Sequence, residues 1–460
     1  MKRWAALAVA MVVLAAAGVV AWRVWRHEDL CDVAEALSTP SQELPAAAPA
    51  ARLHPPKPPP DAAIPLLYEA VHFPGSAQLG RLRWALQTGH VPNNHGLHVY
   101  AGAGVVLAAI SYGVAGGGPD PGGQLAAYRG SDGKLLWRLA DPEVDDYGIV
   151  GDTVVIQRSK TKEKKSPSGG AEHETHSAQI GLDPTTGKPR WCLTERDTGG
   201  AEIIPYSPDS ASGGSVPNAT YRAGRVVIVN AANGSITKRI AWPGPAPHLT
   251  TGAGKLVVRQ GNAMWVYRLA DARLLYHVAD LPHPPPNGSA ILPQDNGRMA
   301  VAPDRVLVET VGGGGDNTTG ADNASLVTAY DDAGHIVWQL PSRVDDPALP
   351  LGNRNVFGDA VLIERSQGET FEARRLSDGK LLWRHRRIVG ENTEHLTLIV
   401  EKSFLYGVGE SEITAIDRIT GKGTSIPVKG STALREGIGS LAGGLIATDR
   451  STIVVFDLPD

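Results

Sequence analysis

The sequence predicts an all-β protein, an eight-bladed β-propeller with seven blades as the alternative, from three observations. Gly (53) and Pro (34) are frequent among the 460 residues, which favours short strands and turns. One hairpin pattern recurs along the chain. Its first and last copies are incomplete, and each supplies what the other lacks.

The recurring unit is a strand-like run, a polar turn, a Gly, three residues and an aromatic residue. It is clearest at residues 125–137 and returns almost unchanged at residues 376–383. Asp, Asn or Thr before the Gly can bond its own backbone, and Gly adopts positive φ at little cost. Each copy therefore predicts a β-hairpin whose second strand begins with an aromatic residue.

Eight copies align in this frame, and further apolar runs precede them, so each unit has about four strands. Four-stranded antiparallel blades are too small to bury both faces alone and pack on their neighbours. The aromatic residues are therefore predicted to fill the seams between blades, a structural role. They are Trp84, Trp137, Trp191, Tyr276, Trp338 and Trp383.

The two ends of the repeat region complement each other. Residues 80–84 form an outer strand with no blade before it, and residues 452–458 form an inner strand with no outer partner after it. Pairing the two completes one blade, closes the ring and removes the exposed edges of an open array.

The N-terminal residues 1–27 are predicted to be a transmembrane anchor. Lys2 and Arg3 precede the uncharged apolar run 4–22, which as a helix spans roughly 28 Å, close to the thickness of a bilayer. A cleavable signal peptide is the alternative. Residues 28–74 are rich in Ala and Pro and form a stalk or linker. Residues 75–460 form the propeller, which we place outside the cytoplasm.

Charge and cysteine content exclude several classes of function. Lys+Arg (44) nearly balance Asp+Glu (48), giving a net charge of −4 and no reason to expect nucleic acid as the partner. Two cysteines exclude a disulfide scaffold and any Cys-rich metal site. Outside the cytoplasm Cys31 and Cys192 can form a disulfide; two unpaired thiols are the alternative.

Two polar segments are weak candidates for sites. Residues 158–176 contain clustered lysines followed by Glu and His, so a metal site and a contact with anionic lipid are conceivable, but a solvated loop is favoured. Residues 312–323 are rich in Gly, Asp and Asn without the spacing of a calcium-binding loop. The sequence identifies no catalytic, cofactor-binding or metal-binding residue.

The frame Asp/Asn-x-x-Thr-Gly-x-x-x-Trp resembles the repeat of the pyrroloquinoline-quinone (PQQ)-type propellers. Residues 183–191 match it fully, residues 417–421 match it without the Trp, and the resemblance covers residues 75–460. One branch, the quinoprotein dehydrogenases, uses the quinone and calcium to oxidise alcohols or sugars. The alcohol-oxidising enzymes typically carry a disulfide between neighbouring cysteines, which this chain lacks. The other branch, similar to the outer-membrane assembly factor BamB, binds protein partners without catalysis.

We therefore expect a membrane-anchored, extracytoplasmic propeller that is not an enzyme and needs no cofactor. It would act as a binding or scaffold module for a protein, peptide or cell-envelope ligand at its rim or central funnel. The alternative is a PQQ- and calcium-dependent dehydrogenase.

Overall fold

The computed structural model describes residues 30–33, 48–49, 82–87, 95–112, 124–141, 144–165, 171–207, 225–242, 248–282, 299–311, 325–342, 349–350, 356–365, 370–386, 397–401, 404–408, 412–427, 437–441, 444–448 and 452–457. The apolar run 4–22 and the segment 312–323 lie outside these ranges. Within them, no helix has both the length and the apolar character needed to span a bilayer.

The described residues form eight β-sheets, numbered here in chain order. Two strands precede sheet 1: β1 (Ala48–Pro49) and β2 (Leu82–Gln87). Sheet 1 contains β3 (His95–Gly102), β4 (Val105–Tyr112), β5 (Gln124–Arg129) and β6 (Leu135–Ala140); sheet 2 contains β7 (Val144–Val150), β8 (Thr153–Lys165), β9 (Ala171–Leu182) and β10 (Pro189–Thr194). The helical turn α1 (Glu195–Thr198) leads to sheet 3, which contains β11 (Glu202–Tyr206), β12 (Arg225–Asn230) and β13 (Ile236–Ala241).

The second half continues in the same way. Sheet 4 contains β14 (His248–Gly252), β15 (Lys255–Gln260), β16 (Ala263–Arg268) and β17 (Leu274–Val278); sheet 5 contains β18 (Met299–Val301), β19 (Val306–Val311), β20 (Ser325–Tyr330) and β21 (Ile336–Ser342). Sheet 6 contains β22 (Leu349–Pro350), β23 (Val356–Phe357), β24 (Ala360–Arg365), β25 (Thr370–Arg375) and β26 (Leu381–Arg386); sheet 7 contains β27 (Thr397–Glu401), β28 (Phe404–Val408), β29 (Glu412–Asp417) and β30 (Gly423–Pro427). Sheet 8 contains β31 (Gly437–Leu441), β32 (Gly444–Thr448) and β33 (Thr452–Asp457), together with β2 and β1.

Most sheets are the four-stranded antiparallel meanders that the repeat predicts. Sheets 1, 2, 4, 5 and 7 have this form, and in sheet 6 both β22 and β23 pair with β24. The first strands of neighbouring sheets contact one another, as β31 does with β3 and β27, and β14 with β18. First strands that face each other, with last strands at the far edge, are consistent with a β-propeller.

The hydrophobic core lies between sheets. One cluster joins Trp84, Ile453 and Val455 of sheet 8 to Val106 and Tyr128 of sheet 1, and further clusters join sheets 1 and 2, 2 and 3, 3 and 4, 4 and 5, 5 and 6, and 6 and 7. Each sheet therefore depends on its neighbours for burial.

The repeat tryptophans lie at these seams, on β2, β6, β10, β21 and β26. Each indole Nε1–H donates a hydrogen bond to a backbone carbonyl in the final turn of the following sheet. The donor–acceptor pairs are Trp84–Gly130 (2.9 Å), Trp137–Pro184 (2.9 Å), Trp191–Ala231 (2.6 Å), Trp338–Leu376 (2.8 Å) and Trp383–Arg418 (2.7 Å). Tyr276, which is also buried, lies against the turn of sheet 5.

The turn glycine has two roles at the seam. Gly234 has φ +72°, and a Cβ there would lie 2.5 Å from Cβ of Trp191. Gly421 has φ +69°, and a Cβ there would lie 2.6 Å from the ring of Trp383. The sequence pattern predicts the positive φ, whereas the close approach of the preceding sheet's ring is visible only in the fold.

The chain ends pair as predicted. β2 runs antiparallel to β33 with Trp84 opposite Val455, and Arg83 Nε lies 2.6 Å from Asp457 Oδ1. The N-terminal outer strand thereby completes sheet 8.

Two expectations from the sequence are wrong. Sheet 3 has three described strands rather than four, and β11 is parallel to β12. A parallel pair needs a long connection, which residues 207–224 supply. The described parts of the segment 158–176, which was expected to be a solvated loop, instead belong to paired strands: β8 continues to Lys165 and β9 begins at Ala171, with Arg158 opposite Ala178 and Lys165 opposite Ala171.

Replacing Gly234 with Ala tests the seam. We expect Gly234→Ala to lower the free energy of unfolding by about 1–2 kcal/mol for its positive φ and by about a further 1–3 kcal/mol for the clash with Trp191. Gly254→Ala is the matched control, because Gly254 has φ +73° with nothing near its Cβ position. Equal losses in urea unfolding of the two variants would show that the glycine serves the turn alone.

Candidate functional site

The sequence-predicted residues do not converge on one site. The seam aromatics are distributed around the sheets, one at each of six seams. Within the ranges that the structure describes, no group of three or more His, Cys, Asp or Glu side chains could hold a metal ion.

The segment 30–33 is fastened to sheet 2. Cys31 and Cys192 form a disulfide, with a Cα–Cα distance of 5.7 Å. Arg158 Nη1 donates to the carbonyl oxygens of Leu30 (2.5 Å) and Asp32 (3.2 Å). Arg158 Nε lies 2.8 Å from the buried carboxylate of Asp141, and Val33 enters the core between sheets 1 and 2. Part of the predicted linker thus packs against the sheets.

Beyond Arg158 the hairpin of β8 and β9 becomes a two-stranded ribbon. The register places Gln157 opposite Gln179, Ser159 opposite Ser177 and Thr161 opposite Thr175. Because cross-strand partners share a face, these uncharged polar side chains form one continuous polar face. The Thr161 and Thr175 hydroxyls are 3.1 Å apart.

A short turn brings α1 and β11 against this polar face. Asp197 caps α1 by accepting hydrogen bonds from the Thr194 backbone N–H and hydroxyl, both at 2.8 Å. Gly199 and Gly200 then adopt positive φ, +67° and +72°, with open space around both Cβ positions. Two successive left-handed residues reverse the chain, which places Glu195 and Glu202 on the same cleft.

The resulting cleft has a volume of about 90 Å³. The polar face of the hairpin forms its floor, and the turn between α1 and β11 forms its wall. Its lining residues are Gln157, Ser159, Thr175, Ser177, Ala178, Gln179, Glu195, Thr198, Gly200, Ala201, Glu202 and Ile203. None of these lining residues is a lysine or an arginine.

Hydrogen-bond acceptors dominate the cleft. Burial raises the pKa of Glu202 to about 7. Gln179 is 4% exposed, and its Oε1 has no hydrogen-bond partner, although its Nε2 lies 3.5 Å from the Ile203 carbonyl oxygen. The Glu195 carboxylate accepts a 2.9 Å hydrogen bond from the Ser177 hydroxyl. An unpaired buried amide oxygen costs free energy that a donor in the cleft would recover.

Sequence reasoning missed these residues. Gln157, Ser159 and Thr161 alternate with Arg158 and Lys160, a period of two that signals a strand with one uncharged polar face. The clustered lysines of the same segment are equally typical of a solvated loop. Glu202 begins an ordinary strand and carries no local signal at all.

Comparison with solved structures finds similar chains of low sequence identity. No protein-family profile matches this chain, and no curated protein matches its sequence. BamB from Moraxella catarrhalis is 13% identical, with 78% of this chain and 96% of that chain covered and a TM-score of 0.46. A quinohemoprotein alcohol dehydrogenase from Pseudomonas putida is 14% identical, with 77% of this chain and 65% of that chain covered and a TM-score of 0.40.

A third solved structure, the dihydro-heme d1 dehydrogenase NirN, is 11% identical, with 78% of this chain and 75% of that chain covered and a TM-score of 0.45. At these identities the similarity concerns the fold and assigns no function.

Reduction of the disulfide should destabilise the protein measurably. A cross-link that fastens residue 31 to sheet 2 contributes about 2–4 kcal/mol to the free energy of unfolding. We therefore expect reductant to lower the unfolding midpoint of the wild type in guanidinium. The double variant Cys31→Ser/Cys192→Ser should have about the midpoint of the reduced wild type, and reductant should not change it. A wild-type midpoint that does not change in reductant would show that the disulfide does not contribute to the free energy of unfolding.

The raised pKa of Glu202 predicts a pH dependence of stability. Between the ordinary Glu value of 4.5 and about 7, the unfolded chain has released this proton while the folded protein retains it. The unfolded state therefore binds fewer protons, and this group's contribution to stability falls as pH rises through that window. Glu202→Gln should remove the contribution, so the stability difference between variant and wild type should grow in the variant's favour from pH 4.5 to 7. A difference that stays constant with pH would refute the shift.

Proposed function

We propose that the protein is a membrane-anchored, extracytoplasmic, eight-bladed propeller that acts by binding a protein, peptide or cell-envelope ligand. The observation that carries this proposal is the cleft between the ribbon and α1–β11. It combines a buried amide oxygen that has no hydrogen-bond partner among the described residues with an adjoining two-stranded ribbon, and both rest on sheets held by buried seams. A rigid scaffold that presents an incompletely satisfied polar surface is suited to recognition.

The proposed location rests on the N-terminal region. The apolar run 4–22 has the length of a membrane span, and Cys31, bonded to Cys192, follows it closely. Disulfides persist in oxidising compartments outside the cytoplasm. The eight-blade count is supported by eight described sheets, the last of which both chain ends complete.

Site-specific cross-linking tests the binding function. A photo-reactive amino acid at Thr161, which is exposed on the ribbon, should cross-link a defined partner in intact membranes. The same group at Ile419, 84% exposed in the last turn of sheet 7, is the control and should not capture that partner. Equal capture from both positions, or none from Thr161, would count against recognition at the ribbon.

Quinone uptake by the purified protein distinguishes the binding proposal from the dehydrogenase alternative. We expect no stoichiometric uptake of PQQ in the presence of calcium and no dye reduction with alcohols or sugars. Tight quinone uptake together with alcohol-dependent dye reduction would replace the binding proposal with an enzymatic one.

A further inference from the structure

The polar groups of the cleft are mainly hydrogen-bond acceptors. Two carboxyl groups, Glu195 and Glu202, and the unpaired Oε1 of Gln179 all present oxygen lone pairs. The hydroxyls of Ser177 and Thr198 already donate, to the Glu195 carboxylate and to backbone carbonyls of α1 and its cap. What the cleft lacks is a charged donor.

We propose that this cleft binds a primary alkylammonium group, the end of a lysine side chain presented by a partner polypeptide. The inference rests on the proposed binding function and names the partner's recognition group. An ammonium carries three N–H donors and one positive charge, which complement an amide oxygen and the oxygens of two carboxyl groups.

Size and ligand number favour an ammonium over other cations. A cleft of about 90 Å³ has the space of roughly three waters, enough for an ammonium and its last methylenes. Arginine needs a wider planar site for its five-donor fork. A calcium ion needs six to eight oxygens around one point, and the described residues place only two carboxyl groups here.

The ribbon explains why the ammonium would belong to a polypeptide. The pairing of β7 with β8 ends at Arg158, and from Ser159 to Lys165 β8 is an edge strand of the ribbon among the described residues. An extended peptide can add to such an edge through main-chain hydrogen bonds. Because Ser159 also lines the cleft, a lysine of the added strand would have its ammonium within reach of Glu195 and Glu202.

Calorimetric titration of the purified full chain with Nα-acetyl-lysine N-methylamide tests the site. We expect saturable binding, weakened at least about tenfold in Glu202→Gln and in Glu195→Gln through loss of a charge-assisted hydrogen bond. Asp304→Asn, which removes an exposed carboxylate from sheet 5, should bind like the wild type. The norleucine analogue, of nearly the same shape without the charge, should bind at least about tenfold more weakly than the lysine compound.

Each other outcome overturns the inference. In these outcomes the wild type fails to bind the lysine compound, binds it no better than Glu202→Gln does, or binds the norleucine analogue equally well. Tighter binding of ethanolamine than of the lysine compound would indicate a lipid headgroup as the ligand. Glu202→Gln keeps the shape of the uncharged carboxyl that burial favours in the free protein and should fold; Ser177→Ala provides a second cleft variant if it does not. A cross-link from Thr161 without lysine binding would leave the proposed function standing and refute this inference alone.

Discussion

The fold depends on one contact: the ring of a repeat aromatic residue over the turn glycine of the next sheet. The indole hydrogen bond fixes the ring's direction, and the missing Cβ admits its face. At the seam between sheets 3 and 4 both partners are absent. Sheet 3 has Lys238 at the aromatic position, and sheet 4 has Ala272, with φ +52°, in place of the glycine. The two residues act as one unit across the seam.

Much of this could be predicted from the sequence, because hairpins are local. Turn chemistry at residues such as Asp183 and Gly187 acts within a few positions, and alternating apolar residues identify the strands on either side. Ring closure could also be predicted, since an unpaired strand at each end leaves one solution that removes both edges. The partner of each Trp could not be predicted, because the frame gives spacing within a sheet and not the packing between sheets.

The cleft could not be predicted for a different reason. It joins Gln157 and Gln179 to Glu195 and Glu202, three segments whose proximity depends on a parallel strand that breaks the repeat. The repeat frame predicts a first strand antiparallel to the second, and with that strand direction it gives no reason to expect Glu202 beside Gln157 and Gln179. Only the left-handed pair Gly199–Gly200 carries a local hint of the reversal, and that hint does not specify a direction.

Four departures from the repeat lie close together. The long hairpin, α1, the parallel strand and the disulfide to Cys31 all belong to sheets 2 and 3. A regular sheet uses its polar groups in ladders and its aromatic residue in a seam, so few groups remain for a ligand. Recognition therefore requires a local departure that leaves polar groups such as Gln179 Oε1 unsatisfied, and the seams on either side must supply the stability that the departure costs. Fastening residues 30–33 to the same sheets adds stability where the regular pattern provides least.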